Sequence, residues 1–451
     1  MNQPLDTGLT GAAARAPAAK RGRFRYCILG LIFAATVLNY ADRSTLSIAG
    51  TSITSELGLD PASLGLIFSA FAWAYAIGQV PGGWLLDRFG AKLVYGCSIV
   101  LWSLFTLTQG LVHFFSTASA AVVGLFMMRF MLGLVESPAF PGNARIVSTW
   151  FPTAERGLAT ALFNSAQYLA VVLFMPLMAW ITHTYGWQNV FIMMACLGFA
   201  LAVVWFAVMG EPGSHPRMSS AEFKFIEAGG ALTGLDAKKA KPKLKRQEVM
   251  QLFTSRMMWG IYIGQYCITA LTYFFITWFP IYLIKGRGMS IMTVGFVAAL
   301  PAICGFTGGV LGGVLSDWLI RKGVSPSKAR KTPFMLGMAL STCIVAANYF
   351  DSNAVVIVIM SLAFFGKGLG AVGWAVVSDT APREMTGLTG GVFNGLGNIA
   401  GIVTPIVIGY VVATTGSFND ALWFVSAHGV LAILAYGVLA GQFKRLEIRK
   451  A

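Results

Sequence analysis

Charge is scarce in this sequence. Of its 451 residues, 11% are Asp, Glu, Lys or Arg, against about 25% in soluble globular domains. That scarcity excludes an ordinary water-soluble fold. Histidine is scarcer still: four residues, at 113, 183, 215 and 428. They do not cluster, which argues against a histidine proton relay. The six cysteines, at 27, 97, 196, 267, 304 and 343, fall in apolar stretches without metal-ligand spacing. They read as small buried hydrophobes rather than as disulfides or ligands. No nucleotide-binding loop, nucleophile arrangement or metal motif is present. Neither an enzyme nor a nucleotide-driven pump is expected, and no metal site. The basic N-terminus leads into an apolar run too long for a cleavable signal peptide, with no small-residue cleavage site.

What is present in quantity is apolar length. Hydrophobic residues make up 56% of the chain, and runs of about twenty recur throughout. Only helices and closed barrels satisfy backbone groups in lipid, and long uninterrupted runs exclude a barrel. The expected fold is all-α integral membrane with twelve transmembrane helices. Spans are expected at about 26–50, 62–86, 93–115, 119–148, 157–182 and 187–208, then 257–284, 291–316, 332–350, 354–378, 386–413 and 420–441. The expected units are a disordered cytoplasmic tail (1–25), a six-helix bundle (26–208), a cytoplasmic linker (209–255), a second bundle (256–441) and a short cytoplasmic tail (442–451).

An even number of spans puts both termini on one side. Of the 33 Lys and Arg, 28 fall in segments on that side, and the opposite loops hold only Lys285 and Arg287. This positive-inside pattern makes the termini and linker cytoplasmic. The net charge of +15 is therefore a topology signal, and no nucleic-acid partner is expected.

The two halves repeat at an offset of 230 residues. Gly83-x3-Asp87 recurs as Gly313-x3-Asp317, Ser148 as Ser378, and Pro152-x4-Gly157-x5-Phe163-Asn164 as Pro382-x4-Gly387-x5-Phe393-Asn394. Six spans in each half make this a parallel repeat, two bundles related by a pseudo-twofold axis. Such repeats place a substrate site near the bilayer midplane and work by rocking.

Five charges remain at membrane depth: Asp42, Arg43, Arg129, Glu136 and Lys367. An ionised side chain there costs roughly 2.5–3.5 kcal/mol on insertion scales, so each is a candidate for function. For Asp42 and Arg43 the alternative is a buried ion pair that only locks packing, Arg43 pairing with a carboxylate on a neighbouring span. Arg129 and Glu136 are seven residues apart, almost two helical turns, and face one way. A cation and a desolvated carboxylate on one face fit anion binding and proton carriage. An anion on Arg129 would then free Glu136 to take a proton. The alternative is again an internal pair. Lys367 and Trp374 are also seven apart, and a Lys in mid-span reads as cavity-lining. Tyr75, Gln167 and Asn394 add hydrogen-bonding groups, for which interhelical packing is the competing reading.

The stretch GGWLLDRFGAK (82–92) resembles the loop signature of the major facilitator superfamily, with Gly83, Asp87 and Arg88 in place and Gly313 and Asp317 as its second copy. In that family the loop is a conformational latch. The glycine is read as letting two helices approach, and the carboxylate as capping a helix or pairing with a base. The second copy lacks the basic residue after Asp317 and is read as weaker. The stretches NYADRSTLSIAG, GLVESPAFPGNARIV, GQYCITALTYFFITWFP and LAFFGKGLGAVGWAVVSDTAP resemble bacterial anion:cation symporters of that superfamily, D-glucarate/D-galactarate transporters in particular. The resemblance covers roughly residues 24–448. It implies a proton-coupled symporter for sugar diacids in the bacterial inner membrane, with Asp42 and Glu136 as proton carriers. It implies substrate contacts from Arg43, Tyr75, Arg129, Gln167, Lys367, Trp374 and Asn394. Sugar monoacids such as galactonate and hexuronate, or other organic anions, are the alternative substrates. The partners expected are the sugar acid, protons and lipid. The proton is the coupling ion, no cofactor is expected, and the protein is expected to be a monomer.

Overall fold

The computed structural model describes residues 22–115, 117–152, 155–233, 246–382 and 385–447. The expected tail lies outside the described residues up to residue 21, as does most of the basic stretch of the linker. Among the described residues, twelve helices are long and apolar enough to cross a membrane. Those of the first half are Phe24–Leu57, Pro61–Phe89, Ala91–Gln109, Ala118–Trp150, Arg156–Tyr185 and Gln188–Val208. Those of the second are Arg256–Gly286, Ile291–Arg321, Pro326–Tyr349, Asn353–Thr380, Leu388–Thr415 and Asn419–Leu439. They are called spans one to twelve below. Each overlaps its predicted span. Large apolar side chains such as Val80, Leu173 and Val203 remain exposed on the outside of the bundle, as a surface facing lipid requires.

Helix ends follow local chemistry. Asp60 caps span two by accepting from the Ser63 amide at 2.6 Å, and this bond holds its carboxyl below the usual carboxylate range. Pro61 then occupies the first helical position, where a missing N–H costs nothing.

Several spans are interrupted, and in spans four, seven and ten the interruption has a clear sequence reason. Span four is two segments, Ala118–Glu136 and Ala139–Trp150, broken at Ser137-Pro138. Proline cannot donate and clashes with the preceding turn. Span ten is Asn353–Leu369 and Gly373–Thr380, broken within a glycine-rich run. The two breaks stand at related places in the repeat. Glu136 ends the first segment of span four, and Lys367 lies one residue beyond its repeat counterpart, Gly366. Span seven widens into π-type turns at Phe274–Trp278 and Tyr282–Gly286 on either side of Pro280.

The halves approach closely at the ends of the spans away from the chain termini. A side chain at Gly65 would strike the Pro405 carbonyl, and one at Gly295 would strike Ala179. Lys285 Nζ donates to Thr54 Oγ1 across the same end at 3.0 Å.

The segment between the halves holds two short helices, Ser220–Ala228 and Arg246–Thr254. The first is docked. Glu222 is buried and bonds Arg25 at 3.0 Å, while Arg25 also binds Glu155 at 2.9 Å. The last described residues also dock: Arg445 donates to the carbonyls of Ala381 and Ser378, and the Leu446 amide to Thr380.

The glycine reading of the loop signature is corrected. A side chain at Gly83 or Gly313 would meet nothing within 4 Å. The close approaches come one residue earlier in both copies. A Cβ at Gly82 would press on Pro138, and one at Gly312 would strike the Leu369 carbonyl. One residue turns about 100° around a helix, which moves the contact to another face. The carboxylates do pair with bases, Asp87 with Arg145 at 2.8 Å and Asp317 with Arg330 at 3.1 Å. Arg330 also holds Asp379 at 3.0 Å, so the second copy is a three-member network. Arg88 lies over Trp84 and Phe89.

Candidate functional site

Between the halves lies a cavity of about 460 Å³. Arg43, Tyr75, Arg129, Gln167, Lys367, Trp374 and Asn394 all line it, so the structure brings those seven predicted residues together. Asp42 and Glu136 do not line it. They stand behind the wall, both buried.

The reason for Asp42 is helical geometry. Adjacent residues do not share a face, so Arg43 enters the cavity and Asp42 turns inward. Its Oδ1 is buried without a hydrogen-bond partner among the described residues. Arg43 pairs instead with Glu136 of span four, Nε to Oε2 at 3.2 Å. The Asn39 side chain, one turn earlier on span one, faces the same carboxylate. The neighbouring-span pair weighed for Arg43 is therefore present. Arg129 and Glu136 form no direct ion pair among the described residues, though each lies within the other's electrostatic reach; Arg129 donates to the backbone carbonyls of Asp42 and Arg43 at 3.5 and 3.2 Å. Arg129 keeps donor capacity unused, because its Nε is buried without a partner among the described residues. The Phe71 ring faces both guanidiniums, at 4.6 Å from Arg43 and 5.8 Å from Arg129.

Lys367 faces these arginines from the other half. It is 6% exposed, and among the described residues it has no carboxylate partner. Its ammonium lies over the rings of Phe364 and Tyr168 at 5.0 and 5.7 Å. Ring faces attract a cation but do not neutralise it. Lys367 and Trp374 do share the cavity, but not by continuous helical arithmetic, because the break at 370–372 separates them.

Polar side chains complete the lining. Asn164, Asn394, Asn398 and Gln265 bring amides, and Tyr40, Tyr168 and Tyr273 bring hydroxyls. Among the described residues, the lining holds three cations and no carboxylate. Tyr273 and Asn398 were missed by the sequence reading, yet the repeat points to them. An offset of 230 relates Arg43 to Tyr273, Asn164 to Asn394 and Tyr168 to Asn398, and every member lines the cavity.

Known proteins agree with this architecture. The Major Facilitator Superfamily profile matches residues 32–405. A Bacillus subtilis (strain 168) protein named "probable galactarate/D-glucarate transporter" is 56% identical over 440 residues, covering 97% of this chain and 96% of that one. An Escherichia coli O6:H1 protein named "D-galactonate transporter" is 40% identical over 432 residues, covering 95% and 98%. The crystal structure of a D-xylose-proton symporter superposes with a TM-score of 0.71 at 16% identity, covering 94% of this chain and all of that one, a likeness of fold. These relatives are transporters, not enzymes. The chain is a multi-pass membrane protein and belongs to the major facilitator superfamily.

Proposed function

We propose that this protein is a proton-coupled symporter that imports the sugar diacids D-glucarate and D-galactarate by rocking of its two halves. The observation that carries the reading is the cavity's charge: three cations, no carboxylate, and one of the cations, Lys367, in the opposite half from the other two. A dicarboxylate engages both halves at once, one carboxylate at Arg43 and Arg129 and the other at Lys367. Tyr75, Gln167, Trp374 and Asn394 contact the hydroxylated chain between them. Relatives named for galactarate and D-glucarate, 56% identical over nearly the whole chain, support the substrate class.

The ion pair gives a route to coupling. Arg43 is the counter-ion of Glu136. A substrate carboxylate that takes Arg43 leaves Glu136 buried without it. An unpaired buried charge costs several kcal/mol, so Glu136 takes up a proton as substrate binds. Asp42 is the second carrier. Two protons per diacid make the step electroneutral. With one, net negative charge would enter an inside-negative cell against about 2.3 kcal/mol per charge per 100 mV.

The Lys and Arg distribution supports cytoplasmic termini in a bacterial inner membrane. With that orientation the halves are closed on the outside and the cavity faces inward. The Asp87–Arg145 and Asp317–Arg330 pairs act as conformational latches on the cytoplasmic face. The proton is the only co-substrate this reading needs, and the protein acts as a monomer surrounded by lipid. A second reading, transport of sugar monoacids such as galactonate or hexuronate, is favoured by the 40% identical relative named for D-galactonate.

The test is labelled glucarate uptake into proteoliposomes under an imposed inward proton gradient, with and without Glu136→Gln. Accumulation above equilibrium in the parent, with the variant limited to exchange, is expected. Absence of glucarate uptake alongside galactonate uptake overturns the diacid assignment in favour of the second reading.

A further inference from the structure

A second cavity, of about 370 Å³, opens where the halves meet at the end away from the chain termini. It shares no lining residue with the central one. Its wall combines Thr54, Pro61 and Leu64 of the first half with parts of span seven and the loop ends around Asn348 and Ser417. Two charged residues line it, Lys285 and Arg287, and no Asp or Glu does. These are the two cations that stand apart from the rest in the loop charge count. The acidic residues of that end are otherwise placed: Glu56 accepts from Trp187 at 2.6 Å and Asp60 caps span two, while Asp351 and Asp420 do not line the cavity.

The two cations differ. Arg287 is occupied, donating to the Phe350 and Asp351 carbonyls and to Asn353 Oδ1. Lys285 is exposed and, among the described residues, makes one bond, to Thr54 Oγ1 of the other half. An ammonium has three donors, so two remain for a ligand. Between the cavities stands one inter-half aromatic contact. Phe68 and Trp278 meet edge to face at 5.7 Å, Phe68 lining the central cavity and Trp278 the outer one. Stepping down span two, Leu64, Phe68 and Phe71 pass from the outer cavity through this barrier to the central one.

We infer that the outer cavity is a capture site for the anionic substrate, with Lys285 as its carboxylate receptor and the Phe68–Trp278 contact as the gate beneath it. Carboxylate arriving at Lys285 takes the donors that Thr54 leaves free, and its stronger charge-assisted bonds draw the ammonium away from Thr54, loosening a bond that ties the halves together on that side. Capture and outward opening are thereby linked. The inference rests on the sugar-diacid reading and on the orientation proposed with it.

The test compares glucarate uptake by right-side-out and inside-out membrane vesicles. In right-side-out vesicles Lys285→Gln raises the KM roughly three- to tenfold, the scale expected when one steering charge at a rim is lost. In inside-out vesicles the KM is unaltered, because substrate there meets the central cavity first. Thr54→Val, which removes the tie but keeps the charge, does not raise the KM in right-side-out vesicles, and Lys285→Arg restores it. If Lys285→Gln fails to reach the membrane, Lys285→Ser serves instead, with the KM rising only from the outer side. A KM that moves equally on both faces, or on neither, overturns the capture site and leaves the transport reading intact. A parent that takes up no glucarate in either orientation overturns the diacid reading, and the capture site with it.

Discussion

Arg43 on span one and Glu136 on span four form an ion pair of 3.2 Å in which the carboxylate side chain is fully buried. The pair places one partner at the cavity and the other behind it, so the cation is exchangeable between substrate and protein while the anion is not. Removing the cation alone leaves Glu136 either charged without its counter-ion or protonated, which costs up to about 3–5 kcal/mol. Arg43→Gln is therefore expected to lower the thermal stability of the detergent-purified protein. Adding Glu136→Gln should recover most of that loss, because both charges are then gone. Uptake should stay low in both, on the order of a hundredfold below the parent. A double variant as unstable as the single one would show that the two side chains are not energetically coupled.

Asp42 is a sterner case. It is 1% exposed, lines neither of the two cavities, and carries an oxygen without a hydrogen-bond partner among the described residues. Asn is close to isosteric and removes the charge. Asp42→Asn is expected to fold at least as stably as the parent, since a desolvated carboxylate is replaced by a neutral group. If Asp42 carries a proton, this variant exchanges labelled for unlabelled glucarate but no longer accumulates it in response to a proton gradient. Gradient-driven accumulation at the parent's level would remove Asp42 from the coupling scheme.

The glycine positions separate a motif from its mechanics. A side chain at Gly312 strikes the Leu369 carbonyl, while one at Gly313 meets nothing. Backbone cannot step aside as a side chain can, and overpacking of this kind costs about 1–3 kcal/mol. Gly312→Ala is expected to depress the melting temperature and the yield of folded protein. Gly313→Ala should leave both unaltered or raise them slightly, because Ala is the better helix former by roughly 1 kcal/mol. Circular dichroism melts of the two variants decide it, and equal destabilisation would refute the assignment of the close approach to Gly312.

The same contrast shows what a sequence can and cannot carry. Span count and the repeat were legible because lipid imposes length and hydrophobicity residue by residue, and because the two copies keep one offset. Arg43, Arg129 and Lys367 were legible because charge at membrane depth has a cost that packing alone does not repay. Pairings between spans were not. Which carboxylate meets Arg43 depends on helix rotation, and a one-residue step turns a side chain to another face. Asp42 sits beside Arg43 in the chain yet points away from the cavity, whereas Asn39, four residues back, shares the Arg43 face. The breaks at Ser137-Pro138 and 370–372 were likewise hidden inside apolar runs read as continuous. Tyr273 and Asn398 had a usable signal in the repeat, which projects them from Arg43 and Tyr168.

Lys367 offers the sharpest test of substrate class. It is buried and has no carboxylate partner among the described residues, and its ammonium rests on two ring faces. Nothing in the packing of span ten requires that charge. Lys367→Met is close to volume-conserving and removes the desolvation cost, so it is expected to stabilise the fold by about 1 kcal/mol. A gain in stability with a loss of function is the mark of a residue kept for binding. For a diacid, the second carboxylate loses its only cation in that half, and glucarate KM is expected to rise at least tenfold, equivalent to about 1.4 kcal/mol. A sugar monoacid held at Arg43 and Arg129 has no carboxylate to lose. Galactonate should therefore compete with labelled glucarate more effectively in Lys367→Met and Lys367→Asn than in the parent. Equal losses for both acids, or glucarate uptake that is spared, would assign Lys367 to packing or to overall anion attraction rather than to the second carboxylate.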